Sequence, residues 1–443
     1  MSIHLKTNHH QNNCVLTISN ANDNDDNKNN ITIALQLLGD VSGSMGDLVN
    51  IQQSKLDICQ QTTNFIIDNI AHHHFGFISF DSDAIQQLPL ETIKNRQVAK
   101  TKINKLYPGT STNISKPLSM AFSNMSNLSN FVKYIILLTD GIPNNGITDP
   151  DQLVKLVQQN IDKDTNLAII GVGNDCDHNL LSKLSNIDNG NYYFIDNPEK
   201  IPQVFGEIFG TALETRQQGL TITFNKDILE PIDSINYKVT DNTITIGDLL
   251  NQETKHIGFH IKNIDAYKDT SFTLNYLQCA EALLKREKID CKQSTENKPL
   301  IRDTLDVFKL SQLALEMETM SPDIKDARID QFLANVQGTS QISDSLRKTA
   351  TQMKGLHQPQ MYRRFSEDTG RQRGGEYSND TVKQWRSKSV HAVEQAKNTN
   401  NSQSRPITIP TQNSHHAHPN NKQHTSLFGM GMQGPVLRRT PTQ

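Results

Sequence analysis

Between residues 31 and 212, short apolar runs alternate with segments of helical spacing. No other feature restricts the fold as much. Runs at 31–38, 74–80, 134–139, 167–173 and 192–195 read as strands. Spacing of apolar residues by three and four marks helices at 50–70, 91–106, 114–126, 150–162, 177–185 and 198–212. A strand that is apolar on both faces has to be covered on both faces. The expected architecture is therefore α/β, a doubly wound, mostly parallel sheet with helices on either side.

The rest of the chain reads differently. Residues 1–30 hold one β-like run at 14–19 and a polar linker rich in Asn and Asp. From 213 to 300 apolar residues alternate with period two between Asn- and Asp-rich turns, the pattern of an antiparallel β-sandwich with one wet face. The run at 14–19 could join that sandwich, which would make 31–212 an insertion between its first and second strands. Residues 301–356 read as a small helical region punctuated by Pro322 and Gly338. Residues 357–443 carry 12 Lys and Arg against 5 Asp and Glu with few aliphatic side chains, the composition of a mostly disordered basic tail.

Bulk properties exclude several classes. A net charge of −3 over 443 residues gives no global reason to bind nucleic acid or a membrane surface. No run of about 18 apolar residues is present, so no spanning helix is expected, and the first residues lack the apolar stretch of a secretory signal. The five cysteines are widely spaced with no C-x-x-C pair. That fits a reducing, cytoplasmic or otherwise intracellular setting better than a disulfide or zinc framework.

The chemistry sits at the end of the first strand, in Leu37-Leu38-Gly39-Asp40-Val41-Ser42-Gly43-Ser44-Met45. In a doubly wound sheet this strand-to-helix junction lies at the carboxyl edge, where ligands bind. Asp40, Ser42 and Ser44 alternate and offer hard oxygens, which suit Mg²⁺, Mn²⁺ or Ca²⁺ rather than zinc. The D-x-S-x-S run between strand and helix resembles the metal-ion-dependent adhesion site of the von Willebrand factor type A family. The resemblance implies two further ligands on later loops. Thr112, in Tyr107-Pro-Gly-Thr-Ser-Thr112-Asn, matches the second loop, with Thr110 as the lesser alternative. Asp140, in Thr139-Asp140-Gly141, matches the third. Gly39 departs from the family's usual aliphatic residue, and Gly-Thr-Ser-Thr departs from its usual Gly-Gly-Thr. The resemblance also implies that an open position on the ion receives a carboxylate from a protein partner.

Competing readings are weaker. A haloacid dehalogenase-type phosphotransferase needs a second Asp where Ser42 stands, and no P-loop, G-x-S-x-G or H-E-x-x-H occurs. Catalysis is not expected. Phe80-Asp81-Ser-Asp83 reads as a loop on the same sheet edge, and His72–His74 as a solvated turn. Residues 213–380 loosely resemble the VWA-interactor module of intracellular relatives, through Gly247-Asp-Leu and Glu253-Thr. Some such proteins are ubiquitin ligases, but the Cys/His pattern of a RING finger is missing. The expected role is an adaptor or scaffold that binds an acidic protein partner through a divalent ion. The alternatives are an assembly protein whose ion only stabilises the fold, or an accessory subunit of a ubiquitin-ligase-type or other enzyme complex. The partner's identity and the oligomeric state are not written in the sequence.

Overall fold

A computed structural model describes residues 3–20, 31–51, 53–162, 164–173, 176–187, 189–195, 197–232, 237–279, 283–317, 320–336, 340–354 and 387–392. The chain begins with a hairpin, β1 (Ile3–His10) and β2 (Asn13–Asn20), paired from Ile3↔Asn20 to His10↔Asn13. Next come β3 (Thr32–Asp40), a short β4–β5 hairpin (Leu48–Asn50, Gln53–Ser54), α1 (Lys55–Asn69), β6 (His74–Phe80), β7 (Ala84–Thr92) and α2 (Arg96–Ile103). The segment continues through α3 (Ser115–Ser126), β8 (Phe131–Thr139), α4 (Pro150–Asn160), β9 (Thr165–Val172), α5 (His178–Ser185), β10 (Gly190–Ile195) and α6 (Ile201–Glu214).

These strands form one sheet in the order β10-β9-β8-β3-β6-β7, parallel except for the edge strand β7. One apolar core joins the sheet to α1, α2 and α6, and a second joins its other face to α3, α4 and α5. That is the doubly wound arrangement expected. Two local differences have simple causes. Residues 84–92 form an edge strand that the sequence hides behind Pro89, a residue that edges tolerate. The first helix starts at Lys55 and not near 50, because Ser54 and Asp57 form a reciprocal capping box there.

After α6 the chain passes straight into β11 (Thr215–Thr223), followed by β12 (Leu229–Pro231), β13 (Lys238–Thr240), β14 (Thr243–Leu250), β15 (Thr254–Ile261), a helical turn α7 (Ile264–Tyr267), β16 (Ser271–Gln278), β17 (Leu283–Asp290) and β18 (Thr295–Glu296). Two five-stranded sheets result, β12-β15-β2-β1-β18 and β13-β14-β11-β16-β17. Their inner faces meet in a shared core that includes Leu16, Ile18, Ile222, Phe259, Phe272 and Leu274. The rings of Phe259 and Phe272 meet across it, tilted by 45° with centroids 4.9 Å apart.

The sandwich therefore does not simply follow the α/β segment; it encloses it. The run at 14–19 joins as expected, but β1 precedes it, so the insertion falls between the second and third strands. The segment 3–10 reads as polar because Ile3 and Leu5 alternate with His and Lys, and its partners lie elsewhere in the chain. Helices α8 (Lys298–Glu316), α9 (Pro322–Asn335) and α10 (Gln341–Met353) share a further core, and Phe308 of α8 lies against Gly258 of β15.

The expected disordered tail, 357–443, lies outside the described residues except for 387–392. There a helical stretch places Ser389, whose hydroxyl donates to the Pro202 carbonyl at 2.6 Å. The linker at 21–30 is likewise outside them.

His73 and His256 are buried. The 72–74 turn is not fully solvated: His73 is buried and its Nδ1 accepts from the Ile33 backbone N–H at 3.4 Å. His256 pairs with Thr17 at 2.9 Å. Burial pushes both imidazoles down to about 4, with neighbouring His72 and His74 adding to the effect on His73. The unfolded chain thus takes up these protons near 6.5, well before the folded one. The stability they contribute is present above about pH 6.5 and is lost as pH falls toward 4, on the order of 3 kcal/mol for the more deeply buried His256 and less for His73. Thermal melts between pH 7 and 4 are expected to fall through that window. His256→Gln is expected to flatten the fall, and an unchanged slope would remove His256 from this account.

Candidate metal centre

The strand order reverses direction at β3, since its connections lead to β6 on one side and eventually to β8 on the other. The carboxyl ends of β3 and β8 therefore flank a switch-point crevice. Asp40 is the last residue of β3, and Asp140 follows the last residue of β8. Both side chains are buried, Asp40 with 1% and Asp140 with 2% exposure.

The first loop is shaped by Asp40 itself. Its Oδ1 accepts the Ser42 backbone N–H at 2.7 Å, which turns the chain into a 3₁₀ turn at Gly43–Gly46. Met45 anchors that turn in the core. Ser42 and Ser44 then lie side by side, with their hydroxyls 3.3 Å apart. Thr139 donates to Asp40 Oδ2 at 2.5 Å, and Ser44 donates to Asp140 Oδ1 at 2.8 Å, so the first and third loops interlock.

The second loop closes the third side. Gly109 N–H donates to the Val41 carbonyl at 2.5 Å, and Asn113 N–H to the Asp81 carbonyl at 2.8 Å. Asp81 thus supports the loop through its backbone. Thr112 is 3% exposed and is clamped by Asn144, whose Oδ1 accepts its N–H and whose own N–H donates to its carbonyl. A Cβ on Gly141 would stand 2.8 Å from Thr112 Oγ1, so the glycine admits this hydroxyl beside Asp140. Thr110 is exposed. Gly39 also finds its reason here: a Cβ there would stand 2.6 Å from the Phe77 ring, which fills the space a larger residue would take.

Asp40, Ser42, Ser44, Thr112 and Asp140 are therefore gathered on three adjoining loops. Burial pushes the Asp40 carboxyl up to about 6, against the lowering effect of its hydrogen bonds from Ser42 and Thr139. A buried carboxylate held at that cost is better compensated by a cation than by hydroxyls. The donors are all hard oxygens. Among the described residues no group of three or more His, Cys, Asp and Glu side chains forms a softer site.

Sequence reasoning missed one residue. Lys55 reaches into the site, its Nζ 2.6 Å from Asp140 Oδ2 and 3.8 Å from Asp47. A cation thus already lies against Asp140, an observation that fits a cation locus. The available signal was its position: Lys55 opens α1, where a positive charge opposes the helix dipole and needs some other anion.

The site also has an apolar surround. Leu48 and Ile51 follow the first loop, Tyr107 precedes the second and Ile142 follows the third; all four are exposed, from 58% to 96%. Cβ positions on Gly46 and Gly141 touch Pro108 and Thr112, which places these loops side by side.

Residues 35–207 match the family of the von Willebrand factor type A domain. The inter-alpha-trypsin inhibitor heavy chain H2 of Sus scrofa is 31% identical over 162 residues, 34% of this chain and 17% of that protein. The chain thus spans about a sixth of that curated relative's length. Among solved structures, a von Willebrand factor type A protein from Catenulispora acidiphila superimposes with a TM-score of 0.55 at 16% identity, over 79% of this chain and 88% of its own. The ArnB paralog VWA2 from Sulfolobus acidocaldarius does so with a TM-score of 0.56 at 15% identity, over 83% of this chain and 97% of its own. At these identities the likeness is one of fold, and it reaches well beyond residues 35–207. No described helix is long and apolar enough to cross a membrane.

Proposed function

Residues 35–207 are a von Willebrand factor type A domain, and from that premise we propose that the chain captures a protein partner through a divalent cation held by Asp40, Ser42, Ser44, Thr112 and Asp140. Domains of this type generally mediate protein–protein interaction. The carrying observation is the convergence of two buried carboxylates and three hydroxyls at the switch point, with an ammonium already against Asp140. When bound, Mg²⁺ (or Mn²⁺ or Ca²⁺) supplies a strong Lewis-acidic point for a partner's Asp or Glu. The chain's own residues hold that position open and orient it. The exposed apolar side chains of the same loops support docking of apolar neighbours around the partner's carboxylate. The role is binding, not catalysis. Five unpaired thiols, three of them buried, support a reducing intracellular setting. The sandwich and α8–α10, with their loose likeness to VWA-interactor modules, would make the domain one part of an adaptor or scaffold.

Pull-down with the full chain tests this. Partners recovered in Mg²⁺ are expected to be lost with EDTA and with Thr112→Ala. Recovery that survives both would instead assign the ion to stability alone, with contacts made by the sandwich as an assembly protein would make them.

A further inference from the structure

Lys55 is placed by the fold and not by its helix. Its side chain is only 14% exposed, and its firm partner is Asp140 at 2.6 Å, whose side chain is fully buried; Asp47 at 3.8 Å is 70% exposed and solvated. At the first position of α1 the ammonium gains nothing from the helix, whose amino end is itself positive. Its contribution therefore goes to the cation locus. Asp40 and Asp140 carry two negative charges, and Lys55 cancels one. A divalent ion entering this site would meet one net negative charge and leave one net positive charge. A site of two carboxylates without the lysine would be neutral once loaded.

We propose that Lys55 is an internal cation that weakens the chain's own hold on a divalent ion, so that the ion and a single partner carboxylate bind cooperatively. This rests on the function proposed above and names its regulation. The like charge of the ammonium opposes the ion at close range in a partly buried setting, where Coulomb interactions are weakly screened. The residual positive charge then favours one incoming carboxylate. That carboxylate restores neutrality, so it is held more firmly than it would be by a neutral site. Ser44 donates to Asp140 Oδ1 and Lys55 to its Oδ2, so the ammonium and the hydroxyl divide the two oxygens of this carboxylate.

Calorimetric titration of the full chain with Mn²⁺, and separately with Mg²⁺, tests this without any partner. Lys55→Met is expected to bind Mn²⁺ at least about tenfold more tightly than the native chain, whereas Lys55→Arg stays within about threefold. Lys55→Gln, which keeps a donor toward Asp140 and guards against a folding defect, is expected to follow Met. Acetate serves as the carboxylate probe: it should tighten Mn²⁺ binding to the native chain more than to Lys55→Met. Equal or weaker Mn²⁺ binding by both neutral variants overturns the role of Lys55 and leaves the metal site standing. Binding by the neutral variants alone supports the internal cation and withdraws the resident ion of the native chain. Binding by none of the proteins overturns both proposals.

Discussion

Asp40→Asn is expected to lower Mn²⁺ or Mg²⁺ affinity by at least about 100-fold and yet to raise the melting temperature of the metal-free chain. Affinity falls because a neutral amide replaces one of two carboxylates, and even outer-sphere losses around metals commonly cost 10- to 100-fold. Stability rises because the Asp40 carboxyl is pushed up to about 6 by burial. Its folded pKa lies above its ordinary value of 3.8, so near pH 7 the ionised group costs stability; that cost begins to lift as pH falls below about 6 and is fully gone only below about 3.8. An upper figure is about 3 kcal/mol at neutral pH. Asn keeps the shape and can still accept from Ser42 and meet the Thr139 hydroxyl. Calorimetry and thermal melts with and without Mn²⁺ measure both halves. Unchanged affinity would remove Asp40 from the site, and a fall in metal-free melting temperature would contradict the burial argument.

Deleting residues 1–20 is expected to unfold the sandwich while leaving the α/β segment folded. β2 lies in the middle of its sheet, bonded to β15 on one side and β1 on the other. Ile3, Cys14, Leu16 and Ile18 belong to the sandwich core. At roughly 1.5–3 kcal/mol for each buried apolar side chain, their loss is comparable with the whole stability of a typical domain, about 5–15 kcal/mol. The α/β sheet has two cores of its own and loses neither. Calorimetry should show the sandwich transition disappear, with protease cuts concentrated between 215 and 300. A shortened chain that melts like the native one would contradict the central placement of β2.

What could be read in advance was local. The nine residues from Leu37 to Met45 declare the end of a strand, a turn and three candidate oxygen ligands. Thr112 and Asp140 could be added because a loop or strand of recognisable pattern leads to each. The doubly wound sheet followed from continuous apolar runs. What escaped was set by contacts distant in the chain. β1 is mostly polar by sequence and is a strand because β2 and Thr295 pair with it. β2 meets β15 across more than two hundred residues, as in Thr17 with His256. Lys55 looks like an ordinary surface lysine until the fold carries it to Asp140. The departure at Gly39 made sense only once Phe77 was seen beside it.

The enclosed position of the α/β segment also fixes how a pull would travel. Both of its connections, after Asn20 and at Glu214–Thr215, run into the sandwich. The polar seam there joins Asn166 and Asp164, near the start of β9, to Asp248 and Gln218. The carboxyl ends of the strands, with Asp40 and Asp140, lie at the opposite edge, a strand length or roughly 25–30 Å away. Tension applied by a bound partner would therefore run lengthwise down β3 and β8. It would load the hydrogen bonds to their neighbours in shear, many at once, and would not unzip them one by one. The cation would be the grip, the sheet the cable and the sandwich the anchor.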